Sequence, residues 1–153
     1  MDINKTLPSE IGIFHVIIAS GPVIIQERDG VLKTLLVKHG DKPLPELKWK
    51  FCGGKIIRGL ALEENAIREA KEEIGVEVRL VKTLKPMVVW QEAPESGVEK
   101  PEAIVLIHYL AEIKEEPQAG GQILAMDWFD ISNLPTDCAP NIRPVIEDYL
   151  KQR

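Results

Sequence analysis

The chain has 153 residues, 44% of them hydrophobic and 28% charged, which is enough to bury one real core and too apolar for a disordered tail. Its net charge of −5 argues against a general nucleic-acid-binding surface, which needs a basic field, yet leaves room for a small nucleotide whose phosphates a metal neutralises. Two cysteines, Cys52 and Cys138, lie far apart without CxxC or Cys/His spacing, so they read as buried or incidental thiols of a reducing cytosol rather than a zinc site.

No signal-peptide pattern opens the chain and no apolar run is long enough to span a bilayer, so a cytoplasmic location is expected. Strands are expected over residues 11–19, 23–27 and 31–37, the last two joined by the turn Arg28-Asp29-Gly30. A proline-containing loop over 40–46 leads into a short strand at 49–52. The spacing then predicts a helix over 62–74, closed by Gly75, and further strands over 76–84 and 87–90. Residues 91–102 hold two prolines, a glycine and several charges, and read as a long exposed loop. The apolar, β-branched run 103–113 reads as a central strand, 114–121 as a second loop, 123–129 as a strand and 142–151 as a closing helix entered near Asn141. No repeat and no shift in composition marks a boundary, so residues 1–153 are expected to form a single domain. His15 and His108 fall within apolar strand patterns and read as packed or facing a neighbour. His39, before Gly40, reads as a solvated turn residue.

The chemistry concentrates between Gly53 and Val76, where a glycine-rich loop precedes a short acidic helix. Glu69, Glu72 and Glu73 stand at i, i+3 and i+4, share a face and repel one another. Glu72 and Glu73 also lie in the last turn, where the helix dipole disfavours negative charge. Ala66, Ala70 and Ile74, with Ile67 beside them, form an apolar stripe that can lie on a sheet. Arg68 can be paired from Glu64 and Glu72, four residues away on either side, whereas Glu69 and Glu73 have no cation along their own row and border the stripe. A solvated acidic face is the ordinary explanation of a Glu-rich helix. The unpaired row beside a double-glycine turn favours a cation instead. Hard divalent ions take oxygen ligands, magnesium characteristically one or two carboxylates plus water and phosphate. A glycine turn lets backbone groups approach an ion or a phosphate closely. The combination points to metal-assisted chemistry on a phosphate or diphosphate.

At these residues the chain resembles the Nudix hydrolase superfamily, whose box reads G-x5-E-x7-R-E-U-x-E-E-x-G-U with U a bulky aliphatic residue. Gly54 opens the box, Arg68-Glu69 and Glu72-Glu73 fill its acidic half, and Gly75-Val76 close it without insertion. Ala70 is smaller than the usual aliphatic residue, and Leu60 stands where the first glutamate is expected. Trp49-Lys50-Phe51 looks like the family's strand before the loop. Met126-Asp127-Trp128-Phe129-Asp130 with Leu134-Pro135 looks like its late strand and turn. The resemblance implies an α/β fold, an α/β/α sandwich with a mixed central sheet. It also implies a pyrophosphohydrolase that splits a diphosphate bond in a nucleoside diphosphate linked to another moiety. Mg²⁺ is the implied cofactor, with Mn²⁺ as a substitute. Glu69 and Glu73 would hold it directly with the carbonyl of Gly53, while Glu72 would bind a second ion or act on the attacking water. Arg68 would orient the acidic helix. The first glutamate of the family commonly braces this arginine, and with Leu60 in its place the brace falls to Glu64 and Glu72.

Lys55 and Arg58 in the glycine loop are candidates for phosphate contacts, and Trp90, at the start of the loop 91–102, for the substrate pocket. Trp49 and Trp128 read as packing residues. Glu115 and Glu116 lie in a loop where some members of the family keep an additional base, a role that Gln122 beside them could not fill. The implied partner is a small nucleotide-type molecule, with no nucleic-acid polymer and no membrane, and a homodimer is compatible with the family. No subfamily signature downstream of the box selects the nucleotide. The alternative is a Nudix-fold nucleotide-binding or regulatory module that has lost turnover, a reading favoured by Leu60 and opposed by the intact Glu69, Glu72 and Glu73.

Overall fold

Residues 15–40, 47–91 and 102–153 are described by the computed structural model, and in them the period-two runs become strands and the two period-3.6 runs become helices. In chain order they are β1 (His15–Arg28), β2 (Val31–His39), β3 (Gly54–Lys55), α1 (Leu62–Ile74), β4 (Arg79–Thr83), β5 (Met87–Gln91), β6 (Glu102–Glu112), β7 (Ile123–Asp130) and α2 (Ile142–Gln152). The strands form one seven-stranded sheet in the order β4-β6-β1-β2-β7, with β3 added on β1 and β5 on β6. β1 and β6 run parallel, with Ile17 opposite Ile104 and Val23 opposite Leu110. The other pairings are antiparallel, so the sheet is mixed.

Strand alternation sends neighbouring residues to opposite faces, and each face is covered by one helix. Ile24, Leu35, Val37 and Ala111 pack under Ala70 and Ile74 of α1. Val23, Leu36 and Leu110 pack under Ile142, Val145 and Ile146 of α2. The expected sandwich of helices on a mixed sheet is the observed fold. Trp49 meets Phe129 edge-on in the α2 layer, with ring centroids 4.8 Å apart. Trp128 packs at the α1 layer with the Arg28 guanidinium 4.3 Å above its ring.

The structure redraws several sequence-based boundaries. The two strands expected at 11–19 and 23–27 are one continuous β1 through Gly21-Pro22 over its described residues. Pro22 is tolerated because β1 changes partner there: it pairs with β3 at Ala19 and Ser20 and with β2 only from Ile25. Cys52 crosses beside Gly21 in that gap, and a Cβ on Gly21 would stand 2.0 Å from the Cys52 carbonyl oxygen. The strand expected at 49–52 is reduced to single bridges, Lys50 to Val37 and Trp49 to Cys138. Residues 76–78 are outside β4, because β4 can pair only from Arg79, opposite Glu112 at the end of β6. The helix predicted over 62–74 has those bounds. Residues 41–46 of the expected loop 40–46 and most of the loop 91–102 lie outside the described residues.

Candidate active site

Helix α1 is placed by its ends. The Glu64 carboxylate accepts a hydrogen bond from the backbone N–H of Ala61 at 3.1 Å, which serves the start of the helix. At the other end Gly75 adopts φ 70°, the left-handed cap that glycine permits. The chain after β6 returns to finish the last turn: Gln118 donates its N–H to the Ile74 carbonyl at 2.9 Å and Gly120 to the Glu73 carbonyl at 2.7 Å. These bonds satisfy carbonyls that would otherwise face the acidic side chains of that turn.

Glu69 and Glu73 both turn toward the Gly53-Gly54 loop. Glu73 is buried, with its side chain 9% exposed, and Glu69 is nearly so at 13%, whereas Glu72 is 59% exposed. Oε1 of Glu73 accepts the N–H of Gly53 at 2.9 Å, and its Oε2 lies 2.5 Å from Nε2 of His39. Glu69 presses on Gly54. Burial raises the Glu69 carboxyl above its ordinary value. The negative charge of Glu73 adds to that, and Arg68 offsets part of it. Burial likewise pushes the thiol of Cys52, whose sulfur lies 3.9 Å from Glu73, well above its usual range.

Behind the carboxylates runs a polar network, satisfied except at the buried Nε of Arg68. Asn65 is fully buried; its amide donates to Ser20 Oγ at 3.0 Å and to the Gly54 carbonyl at 3.1 Å, and its oxygen accepts from Arg68 at 2.8 Å. Ser20 in turn donates to the Leu62 carbonyl at 2.8 Å. The guanidinium of Arg68 reaches Glu69 at 2.6 Å and Glu72 at 2.9 Å. One asparagine thus ties strand β1, the glycine loop and the arginine together.

This arrangement of loop, acidic helix and mixed sheet has close counterparts. A family model described as the NUDIX domain matches residues 17–149. The chain belongs to the Nudix family. Among solved structures it is similar to a MutT NUDIX hydrolase from Burkholderia pseudomallei, with 27% identity over 88% of this chain and 98% of that one, at a TM-score of 0.69. It shares its fold with an Ap4A hydrolase of C. elegans, with 17% identity over 89% of this chain and 96% of the other, at a TM-score of 0.66. The NUDIX domain of Shewanella oneidensis NrtR, complexed with ADP ribose, also shares it, with 18% identity over 97% and 95% and a TM-score of 0.67. No curated protein matches the chain. Nudix membership points to hydrolysis of pyrophosphate bonds as the general chemistry.

Within the Nudix box the geometry departs from the sequence expectation in three ways. Glu69 and Glu73 are not an unpaired row: Arg68 bends back onto its neighbour Glu69, and His39 meets Glu73. Glu64 does not brace Arg68, being used at Ala61; Asn65, Glu69 and Glu72 do. His39 is not a solvated turn residue, its side chain being 20% exposed and hydrogen-bonded. Leu60 sits half-exposed on the other side of Arg68, in a shallow hollow with Glu64, Lys71 and Glu72, and carries no charge to the network.

Lys55 and Arg58 are exposed on the loop, Lys55 directly after Gly54. Trp90 is 53% exposed, but the register sets it apart from the carboxylates. It pairs with Ala103, and Ala103 with Val16, four residues along β1 from Ser20. That is about 13 Å along the strands, so it can meet only the far end of an extended ligand. Glu116 is held by Arg28 at 2.7 Å, and Glu115 is exposed. His15 pairs with buried Glu102 at 2.8 Å. The residues missed by sequence reasoning are Asn65 and His39. A polar residue beside the apolar stripe was the signal for the first, and the alternation Leu35, Val37, His39 for the second.

Proposed function

We propose that this chain hydrolyses a diphosphate bond in a nucleoside diphosphate linked to another moiety, with Mg²⁺ or Mn²⁺ held at Glu69 and Glu73. The observation that carries the reading is the convergence of these two buried carboxylates on the Gly53-Gly54 loop. Two oxygen-donor side chains fit a small hard cation, which completes its coordination with water and substrate phosphate. The raised Glu69 carboxyl, beside Glu73, is the electrostatic gap that such a cation fills. Among the described residues no group of three or more His, Cys, Asp and Glu side chains is arranged to hold a metal, so water and substrate phosphate would supply the remaining ligands.

When bound, a divalent ion supplies neutralisation of the diphosphate charge and activation of a water. The chain's own residues do the positioning. Glu69 and Glu73 hold the ion, joined by the carbonyl of Gly53. Glu72, exposed and next to them, accepts the proton of the attacking water or serves a second ion. Arg68, fixed by Asn65, holds Glu69 and Glu72 in place and stays off the substrate. Lys55 and Arg58 take the outer phosphate oxygens. The similar folds of an Ap4A hydrolase and of a NUDIX domain complexed with ADP ribose support a nucleotide-like substrate, and because the two ligands differ they do not choose one.

The binding-module reading rests on Leu60. The network around Asn65 weakens it, since Arg68 is braced without a glutamate at residue 60. Release of nucleotide and phosphate products from a panel of nucleoside diphosphate derivatives, with and without Mg²⁺, tests the proposal. Silence across the panel in Mg²⁺ and Mn²⁺ at several pH values, with ligand still bound, favours the module.

A further inference from the structure

We propose that His39 is a positioning residue for Glu73, locking the metal-binding carboxylate before the metal arrives. The inference rests on the metal-dependent reading above. Residue 39 ends β2 on the face that Leu35 and Val37 also occupy, the one under α1. The β2–β7 ladder slips there, Lys38 pairing with Ala125 and His39 with Ile123, so the extra residue, Leu124, belongs to β7 and His39 keeps the alternation of β2. Directly after it the N–H of Gly40 bonds to the Gln122 carbonyl at 2.9 Å and fixes the backbone.

So placed, Nε2 of His39 lies 2.5 Å from Oε2 of Glu73, while the N–H of Gly53 takes Oε1 at 2.9 Å. A carboxylate only accepts, so Nε2 carries the proton and donates it. Oε2 of Glu73 therefore has one protein donor and keeps a lone pair for a cation, while Oε1 takes the Gly53 N–H and a long contact of 3.9 Å from the Cys52 thiol. A carboxylate held at both oxygens cannot rotate, so binding does not have to order it. Glu69, its companion, is held at one oxygen, Oε1, by Arg68. His39 lies 34 residues away in the chain, so it couples the end of β2 to the site.

Mn²⁺ binding, followed by the electron paramagnetic resonance of the free ion, tests the role in the wild type and in His39→Gln, His39→Asn and His39→Leu. The glutamine amide reaches the place of Nε2, whereas the asparagine amide stops one bond short. The expected result is about 10- to 100-fold weaker Mn²⁺ binding for His39→Leu and His39→Asn, with His39→Gln within about threefold of wild type. Melting without metal checks folding, and His39→Asn carries the comparison alone if His39→Leu does not fold. Wild-type affinity in His39→Asn overturns the proposal, as does His39→Gln binding as weakly as His39→Asn. A wild type that binds no Mn²⁺ overturns the metal reading itself, a result distinct from either.

Discussion

Glu69 lies so close over Gly54 that a Cβ at residue 54 would stand 2.4 Å from its Oε1 and 2.7 Å from its Cδ. The obstructing atoms are the tip of a flexible side chain, so an alanine at 54 would push the carboxylate aside and leave the backbone in place. Gly54→Ala is expected to fold with a melting temperature within a few degrees of wild type, and to lose about 10-fold or more in Mn²⁺ affinity. Gly59→Ala is the converse control. Its φ of 96° penalises any side chain, but nothing lies within 4 Å, so it should cost stability and leave metal affinity alone. Titration calorimetry and melting curves on both variants check the contrast.

Glu73→Gln is expected to abolish turnover, with a loss of metal affinity beyond the roughly 10- to 100-fold typical of an outer-shell partner. Reasoning from charge repulsion alone suggests a small gain in metal-free stability. The hydrogen bonds from Gly53 and His39 reverse that expectation, since an amide has only one acceptor oxygen for two donors. The melting temperature without metal should fall, by the equivalent of about 1.5–3 kcal/mol for one bond to a charged group. Wild-type turnover in this variant would remove Glu73 from the metal site.

The bracing of Arg68 gives a test by double mutation. Leu60→Glu alone should change activity little, because both terminal nitrogens of Arg68 already have partners and a carboxylate at residue 60 could add only a bond to the buried Nε. Asn65→Ala removes three hydrogen bonds from a buried position. It should destabilise by about 1–3 kcal/mol, and should lower kcat as Glu69 loses its anchor. If Asn65 does the work of the missing glutamate, Leu60→Glu should recover part of that kcat in the Asn65→Ala background. Strict additivity of the two changes would show that residue 60 has no access to Arg68.

Local features were legible in the sequence and long-range pairings were not. The bounds of α1 followed from an apolar stripe and a glycine cap, both read within a few residues. Glu69, Glu72 and Glu73 could be named from spacing, but not that Glu72 faces solvent while the other two are buried, because the glycine loop decides which side is covered. The contact of Arg68 with Glu69 breaks the i, i+4 rule through the length and reach of arginine. His39 with Glu73 and Ser20 with Asn65 are 34 and 45 residues apart; the alternation of β2 gives the face of His39, but which residue it meets depends on tertiary packing that no local pattern encodes. The strands expected at 11–19 and 23–27 are joined through Pro22, because it falls between the β3 and β2 pairings on one edge of β1 while β6 pairs along the other.

Thiol labelling should separate the two cysteines. Cys52 is 4% exposed, and burial together with the Glu73 and Glu69 charges keeps its thiol protonated, whereas Cys138 is partly exposed. The thiolate is the reactive form. Alkylation of the folded protein near neutral pH is expected to stop at Cys138, with Cys52 modified only on unfolding. Rapid labelling of Cys52 in the native protein would mean that the layer under α1 opens readily.

The last prediction concerns acid stability and is set by His108. This residue is 4% exposed; its Nδ1–H donates to the Lys85 carbonyl at 2.9 Å, and its Nε2 accepts from the Asn141 amide at 3.0 Å. That pattern fits only the neutral ring, since a proton on Nε2 would face the amide hydrogens of Asn141. Burial lowers the pKa of His108 below its ordinary 6.5, and the bond to Lys85 opposes that only in part. With the folded value below the unfolded one, the unfolded chain takes up the proton first as the pH falls. The stability tied to the neutral ring is therefore complete above about pH 6.5 and is lost as the pH drops toward the folded value, with a slope of up to about 1.4 kcal/mol per pH unit. The chain carries two other histidines, His15 and His39, so the measurement is a difference between proteins. His108→Asn keeps a donor for Lys85 and cannot titrate, so its stability curve should be flatter than wild type below pH 6.5 by up to one proton. Because Asn141 stands at the start of α2, loss of this contact should also be seen first as faster hydrogen exchange in that helix. Denaturant unfolding of the two proteins at several pH values that gave parallel curves would mean that His108 accepts its proton without cost.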